Sequence, residues 1–187
     1  MANIKVIGAT YGSKAHAIDV TNIVQKYADQ GAVSITADND TFLDPAPGDT
    51  KHCMIALEKG GKFYGAAMEE HQGVLLNGPS NFYFWEPNVR QPAPQKGEIE
   101  VIVAIYGAIF YDNFGPEALD CQPYSYDVTK RVYELLQSGS HSFNADNKTM
   151  QVDPDTGHTK HFGGLFRYKS TGQIHAVALE EGQEVSL

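Results

Sequence analysis

The sequence predicts a mainly β fold, a pseudo-twofold β-sandwich-like domain built from two internal repeats that each carry one short helix. Three observations lead there. Residues 37–52, ADNDTFLDPAPGDTKH, return as ADNKTMQVDPDTGHTKH at 145–161. The echo extends outward: IKVIGATYG (4–12) matches IEVIVAIYG (99–107), DVTNIVQKYADQG (19–31) matches DVTKRVYELLQSG (127–139), and AAMEEHQGVLL (66–76) matches AVALEEGQEVSL (176–187). Within each copy, short apolar runs bounded by Gly, Asn, Asp and Pro outnumber stretches of helical period, as strands joined by turns would.

Asp-Val-Thr begins at 19 and at 127, and Ala-Asp-Asn at 37 and at 145, a shared offset of 108 residues. Tyr-Gly stands at 11 and at 106, only 95 apart, so the second copy carries 13 extra residues between its first strand and its Asp-Val-Thr. The expected organisation is a first repeat over 1–76, an aromatic and Pro-rich linker over 77–97, and a second repeat over 98–187 with an insertion at about 108–124. One unit of this size buries little surface alone, which favours intimate packing of the two.

Taken in order, IKVIGATY reads as a strand with one or both faces buried. Val20, Ile23, Val24 and Tyr27 then fall at helical spacing, as do Val128, Val132, Leu135 and Leu136. Asp19 and Asp127 precede these stripes as helix N-caps, and Gly31 and Gly139 follow them where a left-handed residue ends a helix. AVSITA, HCMIALEK, KFYGAAME and GVLL read as strands, the middle two joined at Gly60-Gly61, a hairpin signal.

Charge and composition narrow the partners. A net charge of −9 with only 14 scattered Lys and Arg disfavours nucleic acid and anionic membrane surfaces, both of which need a cationic footprint. The opening residues lack the pattern of a secretory signal, and no apolar run reaches the ~18 residues of a membrane span, so a soluble, cytoplasmic chain is expected. Two cysteines, Cys53 and Cys121, are too few for a disulfide framework and read as free thiols.

A strand ending in Tyr-Gly, then Asp-Val-Thr, then Asp-Pro-x-x-Gly-x-x-Lys (DPAPGDTK and DPDTGHTK here), then a Glu-Glu end, resembles the C-terminal domain of DnaJ subfamily C member 11-like proteins. No J-domain with its His-Pro-Asp signature is present. The resemblance implies a β-rich module, names no catalytic residues, and allows a scaffold role as one option. The two-repeat layout is also similar to cyanovirin-type lectins, without their cysteine pattern, an analogy of layout.

Candidate sites follow from where oxygens, imidazoles and rings gather. Asp38, Asn39 and Asp40 in the first copy, and Asp146 and Asn147 in the second, occupy loops that hold a ligand well or simply make turns. Calcium and zinc are weighed and set aside: Lys148 replaces Asp40 in the second copy, and His158 and His161 lack a third ligand, so no metal or cofactor is expected. Asp49 and His158 mark a position where the copies diverge, while Glu69-Glu70 and Glu180-Glu181 read as solvated strand ends. Trp85 in the linker and Tyr111 in the insertion, with Tyr124 and Tyr126 nearby, either cover the ends of the sandwich core or form platforms on which a sugar stacks.

Function is expected to track the points of divergence rather than the shared framework. The leading expectation is a non-enzymatic recognition module for a small neutral ligand or glycan, lectin-like, with Asp38, Asn39, Asp40, Asp49, Trp85, Tyr111, Asp146, Asn147 and His158 as ligand-binding residues. The alternatives are a small enzyme using Asp and His residues of the second repeat, and a scaffold that forms a homo-oligomer.

Overall fold

The computed structural model describes residues 3–76, 97–110, 122–139 and 141–187. Eight elements make the first half: β1 (Ile4–Gly12), β2 (Ala17–Asp19), α1 (Thr21–Asp29), β3 (Ser34–Thr36), α2 (Asn39–Phe42), β4 (His52–Lys59), β5 (Lys62–Glu69) and β6 (Gly73–Leu75). The same eight recur in the same order: β7 (Ile99–Phe110), β8 (Gln122–Asp127), α3 (Thr129–Gln137), β9 (Ser142–Asn144), α4 (Asn147–Met150), β10 (His161–Tyr168), β11 (Ile174–Glu180) and β12 (Glu184–Ser186). Two antiparallel sheets result, in the orders β2-β1-β4-β5 and β11-β10-β7-β8, with the small ribbons β3-β6 and β9-β12 beside them. The fold is the β-rich, pseudo-twofold sandwich the repeats predicted. Each repeat also has a single four-residue helical turn, α2 or α4, where the sequence read as a polar turn.

Strand alternation sends side chains two ways. From β4, Cys53, Ile55 and Leu57 join Val20 and Val24 beneath α1, while Met54 and Ala56 point to the other sheet. In the second repeat, Phe162 and Phe166 of β10 pack with Val132 and Leu136 of α3. Between the sheets, Met54, Ala56, Phe63 and Ala67 of one repeat meet Val103, Ile105 and Leu165 of the other in one shared core. Burying a large apolar side chain contributes roughly 1.5–3 kcal/mol, so this shared layer binds the halves together.

Glycine sets how closely the sheets approach. A Cβ on Gly163 would stand 2.1 Å from Met54 Cβ, and one on Gly65 would stand 2.5 Å from Ile105 Cδ1. The β4–β5 hairpin turns through Gly60 (φ 58°) and Gly61 (φ 75°), the left-handed pair a two-residue turn of this hand requires.

The Asp-Val-Thr phrase fastens helix to sheet. Val20 N–H donates to Ala9 O at 2.9 Å and Ala9 N–H donates to Thr21 Oγ1 at 3.0 Å. Val128 and Thr129 make the same two bonds to Ala104, each at 2.9 Å. Asp19 and Asp127 do not occupy the N-cap positions, which belong to Val20 and Val128. They end β2 and β8 one residue earlier and accept from the N–H of Thr21 and Thr129 at 2.9 Å. The physical reason is that the Val backbone is committed to the neighbouring strand, which delays the helix by one residue. At the far end Gly31 (φ 75°) closes α1: its N–H donates to Ala28 O and that of Ala32 to Tyr27 O, the paired bonds of a left-handed helix stop.

Candidate functional site

The residues that repeat in the polar phrase converge on one buried lysine per repeat. Lys51 sits at the start of β4 with a side chain 5% exposed, its ammonium 3.1 Å from Asp44 Oδ1 and 3.8 Å from Glu70 Oε1. Glu70 Oε2 also accepts from Lys51 N–H at 3.2 Å, and Tyr11 Oη lies 2.9 Å from Asn39 Oδ1 and 3.0 Å from Glu70 Oε1, its one proton shared between the two acceptors. The second repeat rebuilds this set: Lys160 lies 2.9 Å from Asp153 and 3.7 Å from Glu181, Glu181 accepts from Lys160 N–H, and Tyr106 Oη donates to Asn147 Oδ1. Burial and the adjacent glutamate hold both phenols well above the ordinary tyrosine range. Lys160 holds the Asp153 carboxyl below its usual value.

This network answers why a loop phrase is written twice. A buried ammonium needs charged partners and satisfied donors, and the turn, the strand ends and the Tyr of Tyr-Gly supply them. Glu70 and Glu181 are therefore not solvated strand ends; only their neighbours Glu69 and Glu180 are exposed. The signal was present in the sequence, since the Lys and the second Glu recur in both copies at matching places.

Asp38 and Asp146 cap the short helices α2 and α4, accepting from Thr41 N–H at 2.7 Å and Thr149 N–H at 2.6 Å. Asn39 and Asn147 take the tyrosine hydroxyls, as above, while Asp40 and Lys148 project to solvent. Asp49 accepts from Ser13 Oγ at 2.8 Å, and His158 Nδ1 lies 2.9 Å from Asp155 Oδ1. Each repeat thus ties its Asn to the Tyr of the lysine network and its Asp to a helix start, whereas Asp49 and His158 take part in neither. Trp85 and Tyr111 lie outside the described residues, as do residues 77–96 of the linker and the greater part of the insertion.

His52 and His161, repeat counterparts, meet across the sandwich. Their rings stack with centroids 4.9 Å apart and their Nδ1 atoms are 3.0 Å apart, so one ring donates and the other accepts. Each begins its strand opposite a Tyr-Gly glycine, Gly12 or Gly107. This separates His161 from the exposed His158 and dissolves the two-histidine metal motif of the sequence. Among the described residues no group of three or more His, Cys, Asp or Glu is placed to hold a metal ion. Burial pushes His52 down to about 4, with Glu70 opposing, and burial plus the facing His52 pushes His161 down to about 3.

Unfolded imidazoles take a proton near pH 6.5, so between about pH 6.5 and 4 the unfolded chain binds more protons than the folded one and stability falls as pH falls. Urea midpoints are expected to drop across this window, and less steeply in a His52→Gln, His161→Gln double variant. Equal slopes in the two proteins would contradict the buried neutral pair.

Cys53 is buried, and burial pushes its thiol up, away from thiolate chemistry. Among the described residues no helix is long and apolar enough to cross a membrane. Two tyrosines stand out at the surface: Tyr124 and Tyr126 of β8 are 42% and 48% exposed. They pair with Ala108 and Tyr106, which places them on the same outer face as the Tyr106–Asn147 contact. The chain matches no family model, no curated protein and no solved structure, so the likenesses to the J-protein domain and to cyanovirin-type lectins rest on the quoted residues alone.

Proposed function

We propose that the chain is a non-enzymatic recognition module that binds a small neutral, hydroxyl-rich ligand of the glycan class on the outer face of β8. The observation that carries this reading is the Tyr124–Tyr126 pair, two exposed rings on one face of a rigid strand. Residues two apart on a strand stand about 7 Å from one another, a spacing over which two rings offer one continuous platform to a sugar face. In the first repeat His16 and Ile18 occupy the equivalent places, judged by their position before Asp19 and Asp127. The platform therefore belongs to the second repeat, where the copies diverge. Asn147 supplies the polar side of the site, its amide nitrogen offered to ligand hydroxyls while its oxygen holds Tyr106.

Both rings are exposed, so Tyr124→Ala and Tyr126→Ala should leave stability within about 0.5 kcal/mol of the parent. Each is expected to weaken the best binder from a glycan panel about tenfold by calorimetry. A binder whose affinity ignores both substitutions would sink the reading. Loss of a dimer in sedimentation velocity, with no glycan bound by the parent, would instead assign the β8 edge to self-association and the scaffold role.

A further inference from the structure

The pseudo-twofold axis brings counterparts face to face. His52 meets its own counterpart His161 there, and further pairs follow in the shared core. Strand pairing identifies them: Met54 lies beside Thr10 as Gly163 lies beside Ile105, and Ala56 beside Gly8 as Leu165 beside Val103. At each contact a large side chain on one repeat faces a small residue on the other. Met54 faces Gly163, Val103 and Leu165 close over Gly8, and Ile105 closes over Gly65, whose counterpart is Ala176.

The distances decide which faces can meet. The Cβ of any residue at 163 would stand 2.1 Å from Met54 Cβ, so only one of the two positions can hold a side chain. A first-repeat face set against its like puts Met54 on Met54 and fails there. A second-repeat face set against its like puts Val103 where Gly8 lies, 2.7 Å from Val103 Cγ1 and Leu165 Cδ1, and the Ala176 methyl where Gly65 lies, 2.5 Å from Ile105 Cδ1. It also empties the space that Met54 fills. Met54, Val103, Ile105 and Leu165 are each 2% exposed or less, so none can turn aside into solvent.

We propose that this layer is a heterotypic docking surface, on which a first-repeat face accepts the second-repeat face of its own chain or of a second copy and rejects a face of its own kind. Two chains then associate through it in one way, by reciprocal exchange, each first repeat closing on the other chain's second repeat. In the parent the repeat on the same chain is favoured, because the tether holds it at an effective concentration on the order of millimolar. The layer lies inside the sandwich, apart from the outer face of β8, so neither reading depends on the other.

Two full-length variants test the choice of partner. Gly163→Met puts methionine at both facing positions and Met54→Gly puts glycine at both, so each spoils its own pairing. Exchange between the two chains restores one large and one small residue at both contacts. The variants are unfolded in urea, separately and as an equimolar mixture, refolded at micromolar concentration and weighed by native mass spectrometry. A mixed dimer of one chain of each is expected, at least about tenfold more abundant than either homodimer, while the parent stays monomeric. Should Gly163→Met fail to refold alone, its recovery only in the mixture reports the same exchange. Combined in one chain, the two substitutions should raise the urea midpoint above that of Gly163→Met. Absence of a mixed dimer, homodimers as abundant as the mixed one, or a double variant no more stable than Gly163→Met would each overturn the proposal. Adding Tyr124→Ala and Tyr126→Ala should leave the mixed dimer in place, which separates it from self-association at the β8 edge.

Discussion

Replacing Lys51 or Lys160 with Met is expected to destabilise the protein by about 3 kcal/mol, the low end for breaking a buried ion pair from one side. Methionine keeps the volume of the stem, so the loss isolates the charge. Without the ammonium, Glu70, 12% exposed, loses its cation with little water to replace it, while Asp44, 35% exposed, keeps part of its hydration. Tyr11 still donates to Glu70, but one hydroxyl cannot replace a cation. The two repeats should respond alike, because Lys160 has the same partners at 2.9 and 3.7 Å. Glu69→Gln and Glu180→Gln, at the exposed members of each pair, should change stability by no more than about 0.5 kcal/mol. Urea unfolding read by circular dichroism measures all four, and a Lys variant as stable as the Glu69→Gln control would show the network to be ornamental.

The second large effect is expected at the shared core. Gly163→Val should cost about 3 kcal/mol, because its Cβ would overlap Met54 Cβ, an atom fixed by the backbone that no rotamer moves, and crowd Thr10 Oγ1. The sheets would have to part to admit it. A Met54→Gly change opens the facing space, so the double variant should be less destabilised than the sum of the singles, a coupling diagnostic of direct contact. Additive losses would mean that the two repeats do not press together at this point.

Much of the fold was legible because the chain states it twice. The shared register of Asp-Val-Thr and Ala-Asp-Asn, the helical stripes after Asp19 and Asp127, and the Gly60-Gly61 turn each translate directly into an element of the structure. The order of strands in the sheets was not legible, since hydrophobic period does not say which strand β1 lies beside. The polar network was half visible: Tyr11, Asn39, Asp44, Lys51 and Glu70 all recur, yet turn chemistry accounts for Asn and Asp equally well, and only the fold brings the Lys beneath them. The His52–His161 stack was hidden for a different reason. Counterparts related by a twofold touch only if they lie near the axis, and a sequence carries no axis.

The site reading rests on divergence between copies. Shared residues such as Asp38 and Asp146 are occupied in holding helices α2 and α4, each spending its carboxylate on a backbone N–H. Tyr124 and Tyr126 stay 42% and 48% exposed. The proposed binding face draws on that contrast between the copies. The most direct test is chemical-shift mapping of the isotopically labelled protein with an oligosaccharide that binds it. One ligand per chain is expected, with perturbations confined to β8 and α4 around Tyr124, Tyr126 and Asn147. Two equivalent ligands, with Ile18 and Asn39 of the first repeat responding as Tyr126 and Asn147 do in the second, would contradict it.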